Sequence, residues 1–480
     1  MPDAVIIGSG PNGLAAAITL ARAGLDIEVH EAADTVGGGV RSAELTLPGF
    51  VHDVCSSIYP LAASSPSFRE LDLDVEWVHP PAAVAHPFDD GTALTLERDV
   101  GATAAQLGAD GEAYRRLVEP LVEGWEAIEP VLLAALLPPQ PRAVAGLLSA
   151  LGRRGAFEAV RAALSAARTL GDRVFVTERA RSFFAGNAAH SMLPLEWRPT
   201  AAFGLSLIVA GHVNGWPVVR GGAQRLADAL AARLRAEGGT IHTSSRVDRL
   251  PDARLVLADV APRELLRIAR GRLSDRYASD LRRFRLGPAA FKLDWALDGP
   301  VPWRADKCRR AATVHLGGTL AELSASESAP WHGRAPRRPF VLFCQQSLFD
   351  DSRAPAGKHV AWAYCHVPNG WAGDATAAIE EQVERFAPGF RDLVLARSVL
   401  GPRELEAHNA NLVGGDINGG AMTLAQTVFR PARRLIPYRT GRRGLYLCSA
   451  STPPGGGVHG MCGWAAARLA LADLEAGRAG

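Results

Sequence analysis

Three groups of residues in this chain have the types and spacing for chemistry. The first is Gly8-Ser9-Gly10-Pro11-Asn12-Gly13 together with Glu31, eighteen residues beyond Gly13. Glycines at these offsets suit a backbone that turns tightly, approaches a pyrophosphate and lets a helix pack close. A terminal acid can accept hydrogen bonds from ribose hydroxyls and would repel a 2′-phosphate. The second group is Gly37-Gly38-Gly39-Val40-Arg41-Ser42, whose arginine can meet the same pyrophosphate or the linker beyond it. The third lies near the other end of the chain, Ser451 to Met461, and holds Gly455-Gly456-Gly457-Val458-His459. It runs into an apolar stretch from Cys462 to Leu474, so it reads as a loop opening a helix, with unpaired N–H groups available to an anionic ligand.

The elements that must position these residues are legible around them. Ala4-Val5-Ile6-Ile7 is a short buried strand, Leu14 to Ala23 has helical periodicity and is ended by Gly24, and Asp26 to His30 reads as a second strand. Strand, glycine turn, helix, strand and acid in that order form the context a dinucleotide fingerprint requires; a purely structural turn would not need the acid. A long dinucleotide held at both ends fits FAD best, because the reduced flavin ring is anionic near N1 and O2 and a helix start suits it. No second glycine fingerprint with its acid follows, so a built-in NAD(P)H domain is not expected.

These motifs, with Gly49-Phe50-Val51-His52-Asp53-Val54-Cys55, Phe291-Lys292-Leu293-Asp294-Trp295 and Val413-Gly414-Gly415-Asp416, make the whole chain resemble the phytoene dehydrogenase-related FAD oxidoreductases. The resemblance implies an α/β fold like that of amine oxidases and carotenoid desaturases. Its FAD-binding domain would be Rossmann-like and discontinuous, at 1–75, 213–285 and 430–480. A substrate domain at 76–212 and 286–429 would carry a mixed or antiparallel sheet and a helical cap at about 100–200. Cofactor contacts would come from Gly8, Gly10, Pro11, Asn12, Gly13, Glu31, Gly38, Gly39, Arg41, Gly456, Gly457 and Val458, with Val247 touching the adenine through its backbone. The implied activity is a dehydrogenase or desaturase passing a hydride from an apolar terpenoid, polyene or other natural product to flavin N5. The electron acceptor would be oxygen, a quinone or a separate reductase. A redox-neutral flavin isomerase and a non-catalytic FAD-binding scaffold are the alternatives.

For proton handling the candidates are Lys292, His52 and His459. The chain has three lysines against 49 arginines, so a lysine in mid-strand stands apart from the composition. By resemblance to amine oxidases it would hold a water near flavin N5; otherwise it pairs with Asp294, which shares its face of the strand. The same resemblance would bring His52, Asp53 and Tyr59 past the flavin edge.

Length allows two or three domains with full cores. A net charge of +2 gives no reason to expect nucleic acid. The six cysteines lack CxxC or metal-ligand spacing and read as buried thiols, so no metal is expected. With the first strand starting within three residues of Met1 and no apolar run long enough to span a bilayer, a cytoplasmic protein is expected, attached at most to a membrane surface.

Between 142 and 173 six arginines oppose Glu158 and Asp172, a local charge of +4 on an apolar helical pattern. Such a segment suits an anionic membrane surface or a helical cap with a solvated charged face. Asp110 is expected to cap a helix, Pro138-Pro139-Gln140-Pro141 to break one, Thr240 to Val247 to be a strand, and Ser324 to Pro339 to be a surface loop.

Overall fold

A computed structural model describes residues 2–136 and 141–479. The expected break at 138–141 therefore lies largely outside the described residues. Ala4–Ile7 is buried on both faces, which demands neighbours on both sides. It is the centre of a five-stranded parallel sheet in the order Leu445–Leu447, Leu255–Ala258, Ala4–Ile7, Ile27–His30, Thr240–His242. The chain leaves Ala4–Ile7 towards one neighbour and returns much later on the other side. A crevice thus opens beyond the carboxyl ends of Ala4–Ile7 and Leu255–Ala258, the usual ligand position in such sheets.

Two helices pack together beneath that crevice, Pro11–Arg22 and the tail helix Met461–Glu475. Their contact is made of small residues, Ala15, Ala16 and Ala17 among the first and Ala466, Ala467 and Ala470 in the second, all buried in one apolar core. A Cβ on Gly463 would lie 1.7 Å from the carbonyl oxygen of Asn12, so glycine there sets how closely the two ends of the chain approach.

The second sheet has seven strands in the order Val394–Leu400, Ala289–Leu297, His359–Val367, Val341–Cys344, Ala311–Leu316, Ala82–Pro87, Ala93–Glu97. All pairs are antiparallel except Ala311–Leu316 with Ala82–Pro87. Helices from Gly111–Glu123 to Thr200–Val213 cover part of it, with Phe183, Phe184, Leu205 and Ile208 in the shared core. The architecture is a Rossmann-like unit with a mixed sheet and a helical layer. Pro141–Ala163 has a non-helical Gly152 (φ 66°, ψ 168°), and Ala167–Val174 follows as a separate helix. Among the described residues no helix is long and apolar enough to cross a membrane.

Three local expectations are corrected. Asp110 does not cap the helix beginning at Gly111; its carboxylate accepts from Val176 N, Thr177 N and Thr177 Oγ1 and ties down a distant turn. Ser324 to Pro339 is not a surface loop throughout. Leu320–Ser328 is a helix started by a reciprocal cap between Thr319 and Glu322, and it continues as a tighter turn over Ala329–His332. The strand at 240 ends at His242, because Ser244 N and Ser245 N donate to the carbonyls of Ala33 and Glu31 and pull the chain across the sheet's end.

Candidate functional site

A cavity of about 620 Å³ starts at the parallel sheet's crevice and continues over the second sheet. At the crevice end Glu31 is fixed by its neighbours. Oε2 accepts from Ser9 N at 2.8 Å and Ser9 Oγ at 2.7 Å; Oε1 accepts from Ala33 N at 2.9 Å and from Arg41 Nη2 at 3.4 Å. The acid after the second strand is therefore clamped onto the glycine turn. Gly38 packs against the same turn, with a Cβ there lying 3.1 Å from Gly10 Cα, so the two N-terminal glycine loops form one wall.

Asp259, at the carboxyl end of Leu255–Ala258, reaches this wall from the other side of the crevice. Its Oδ2 accepts from Gly13 N at 2.9 Å, and a Cβ on Gly10 would meet the same oxygen at 2.9 Å. Burial, with the Glu31 charge adding, pushes the Asp259 carboxyl up to about 7 against the bond from Gly13.

Gly8, Gly10, Pro11, Asn12, Glu31, Gly38, Gly39, Arg41, Val247, Gly457 and Val458 all line the cavity, as does Lys292. Gly13 and Gly456 do not. The Gly13 N–H is taken by Asp259, and Gly456 is packed against the 416–420 loop, where a Cβ would sit 2.8 Å from Asn418 O. At the glycine turn, Arg41 Nε and Asn12 Oδ1 are buried with no protein partner among the described residues. A guanidinium N–H and an amide oxygen left unpaired beside a helix N-terminus fit a ligand carrying phosphates and hydroxyls.

The cavity then passes over the second sheet, where cross-strand register sets its floor. Lys292 is opposite Tyr364, Tyr364 opposite Leu342, and Leu342 opposite His315. Directly paired residues point to one face, so this row is a transverse stripe across four strands. Lys292 lines the cavity, and its Nζ lies 2.5 Å from both carboxylate oxygens of Asp294, the pairing expected as the alternative to a water-holding role. The Trp362 ring lies 5.2 Å from the same Nζ.

His52 and His459 are not in the cavity wall. His52 stands behind the ion pair, its Nδ1 3.6 Å from Asp294 Oδ1 and its Nε2 2.8 Å from Thr46 Oγ1. The buried His459 uses Nδ1 to accept from Met461 N at 3.1 Å, and burial lowers the imidazole to about 4. It is a helix-start fitting rather than a group facing a ligand. Asp53 is likewise withdrawn, held 2.7 Å from Arg353 Nη2 in a fully buried pair, and Tyr59 is buried with its hydroxyl donating to Ser56 O. Cys55 to Ile58 form the wall in their place.

Sequence reasoning missed Asp259 and the loop from Ala407 to Val413, both in the wall. The acid at the end of a second apolar strand, Leu255 to Asp259, repeats the strand-then-acid pattern of Ile27 to Glu31 and was the available signal for the first. Asn411 has no such signal: its Nδ2 donates to Asp259 O and its Oδ1 accepts from Ala261 N, a pairing only the fold creates.

Comparison with known proteins agrees with this geometry. Residues 6–71 match the NAD(P)-binding Rossmann-like domain. The chain is 28% identical to pyridine nucleotide-disulfide oxidoreductase domain-containing protein 2 of Rattus norvegicus, over 98% of this chain and 94% of that protein. It is 27% identical to hydroxyneurosporene desaturase of Rhodobacter capsulatus, over 98% of each. Among solved structures, an oxidoreductase from Methanosarcina mazei superposes with a TM-score of 0.62 at 17% identity, covering 98% of this chain and 99% of that one. A putrescine oxidase variant gives 0.61 at 15%, covering 99% of both. These last two show the fold alone, shared over essentially the whole chain.

Proposed function

We propose that this chain, an oxidoreductase related over nearly its whole length to the phytoene dehydrogenase and carotenoid desaturase flavoproteins, binds FAD in the crevice and oxidises an apolar substrate in the chamber beyond it. The observation that carries the reading is the continuity of one cavity from the Glu31–Gly10–Arg41 wall to the floor formed by Lys292, Tyr364 and Leu342. Glu31 is positioned for ribose hydroxyls, the start of Pro11–Arg22 and Arg41 for the pyrophosphate, Val247 for the adenine side, and Gly457 with Val458 for the tail contact. Bound there, FAD supplies hydride acceptance from a C–H bond.

The chain's own part is binding, orientation and the exclusion of water. Leu207, Trp216, Leu342 and Trp362 give the substrate apolar and aromatic walls. Lys292 is held by Asp294 and cannot swing away, so its Nζ stays at one place on the floor, where it can hold a proton or a water next to the reacting carbon. A terpenoid or polyene fits this chamber better than an amine, because the floor row of Lys292, Tyr364, Leu342 and His315 carries no carboxylate.

The basic helical segment supports a second contact. Val144, Leu148, Phe157, Val160 and Leu164 are exposed on the 141–164 stretch beside Arg142, Arg153, Arg154 and Arg161. That combination suits an anionic bilayer from which a lipid-like substrate could be drawn.

The test is to purify the protein, record its absorption spectrum, and mix it anaerobically with terpenoid and polyene candidates. Bound flavin that bleaches as a substrate gains a double bond is expected. A folded, colourless protein that refuses added FAD refutes the cofactor reading. Turnover that leaves the substrate's oxidation level unchanged and needs prior flavin reduction replaces oxidation by isomerisation.

A further inference from the structure

Beyond the Lys292 end, the cavity wall contains a group of buried histidines that the proposed oxidation does not use. His190 lines the cavity beside Trp216, and its Nε2 is 2.9 Å from His315 Nε2. His315 is fully buried and ends the floor row that begins at Lys292. Four adjacent strands at about 4.8 Å spacing put these two ends roughly 14 Å apart. Lys292 stands at the nucleotide end, since it and Arg41 both act on Cys55 and His408; the histidines stand at the other.

Hydrogen-bond accounting assigns the protons. His86 Nε2 is 3.4 Å from the carbonyl oxygen of Gly318, which can only accept, so His86 carries its proton on Nε2. Burial lowers His86 to about 4, the ring is neutral, and Nδ1 is a bare lone pair. His315 Nδ1 faces the same spot: both Nδ1 atoms lie about 3 Å from where a Cβ on Gly186 would be, and neither has a partner among the described residues. A proton on His315 Nδ1 would be a buried N–H with no acceptor, the costlier kind of orphan, whereas a bare lone pair is tolerated. His315 therefore donates from Nε2 to His190 Nε2. Burial holds both rings neutral, with His190 lowered to about 3, so His190 carries its own proton on Nδ1. That N–H has no protein partner among the described residues, and His190 belongs to the cavity wall.

We propose that the His190–His315 pair is a recognition site for an uncharged oxygen acceptor, a hydroxyl or carbonyl, at one end of an otherwise apolar substrate, with the His190 Nδ1–H as the donor. This rests on the reading that the chamber takes an apolar substrate. His190 fixes which end of a long molecule lies away from Lys292, and thereby which carbons lie beside it. A neutral donor suits an alcohol or aldehyde and gives a carboxylate no countercharge. His315 acts through His190 and is a positioning residue.

The test uses flavin-loaded protein and three probes on one skeleton, farnesene, farnesol and farnesal, titrated by tryptophan fluorescence because Trp216 and Trp362 line the chamber. One neutral hydrogen bond is worth roughly three- to tenfold in affinity. The affinity ratio of farnesol to farnesene is expected to fall by that factor in His190→Phe, with farnesene affinity changed less than twofold. His190→Gln, which keeps an N–H donor, should recover part of it. An unchanged ratio in both variants overturns the proposal.

In the wild-type protein the carbonyl stretch of bound farnesal should fall below its frequency in hexane; an unshifted carbonyl overturns the proposal without any variant. If none of the probes binds the wild-type protein saturably, the apolar-substrate reading fails first and takes this one with it. Equal binding of farnesol and farnesene with an unshifted farnesal carbonyl removes only the proposal.

Discussion

Asp259 offers a direct test of the crevice. Its carboxyl is buried against the start of the helix Pro11–Arg22, accepts from Gly13 N and faces the charge of Glu31. In the unfolded chain it ionises near its ordinary 3.8, whereas in the folded protein it keeps its proton to about 7. The folded state thus binds more protons between these values. Its contribution to stability is complete below pH 3.8, declines across the interval and is gone above 7.

At about 1.36 kcal/mol per pH unit the interval amounts to about 4 kcal/mol at most, and relaxation around the carboxylate lowers that to about 1–2 kcal/mol. Asp259→Asn keeps the acceptor for Gly13 N and has no charge to bury. The variant should gain on the wild type as pH rises from 5 to 8, by a few degrees in the difference of melting temperatures of the cofactor-free proteins. The same change should act on the ligand: a pyrophosphate beside Asp259 favours the protonated carboxyl. FAD affinity should weaken above pH 7 in the wild type and stay flat in the variant. Melting curves of the two proteins that run parallel from pH 5 to 8 would refute the reasoning.

Lys292→Met should retain FAD and slow flavin reduction or reoxidation at least tenfold, about 1.4 kcal/mol of barrier. It should also lower the melting temperature, because Asp294 is left buried without its partner, and adding Asp294→Leu should recover stability but not rate. Unchanged stopped-flow rates in both half-reactions remove Lys292 from the chemistry. Gly463→Ala drives a methyl into Asn12 O and should cost about 3 kcal/mol or more and much of the bound flavin, read by melting and absorbance. Phe157→Glu with Val160→Glu should abolish sedimentation with anionic vesicles and leave the spectrum unchanged; equal sedimentation of both proteins removes the membrane contact.

How much could be read in advance follows from how far apart the cooperating residues lie. The unit from Ala4 to Glu31 was legible because turn, helix start and acid are fixed by local geometry over about thirty residues, and Glu31 does close onto Ser9. The tail loop was legible for the same reason, and its role at the first turn depends on Gly463, whose function only the packed helices reveal. Lys292 stood out by rarity alone. The helix at Leu320–Ser328 was missed although Thr319 and Glu322 have capping spacing, since serine and proline nearby suggested a loop.

His52 and His459 looked reactive because a histidine beside glycines resembles a ligand contact, yet each ring is engaged within the protein, His52 with the Thr46 hydroxyl and His459 with the backbone N–H of Met461. The row from Lys292 through Tyr364 and Leu342 to His315 could not be read in advance at all. Its members are neighbours by strand register, and shifting any of these strands by one residue would turn that strand's contribution to the opposite face. On the proposed reading, the distance between hydride acceptance and substrate recognition is therefore set by the second sheet. A relative could keep the nucleotide loops intact and change which carbon is oxidised by altering the side chains at one end of that row.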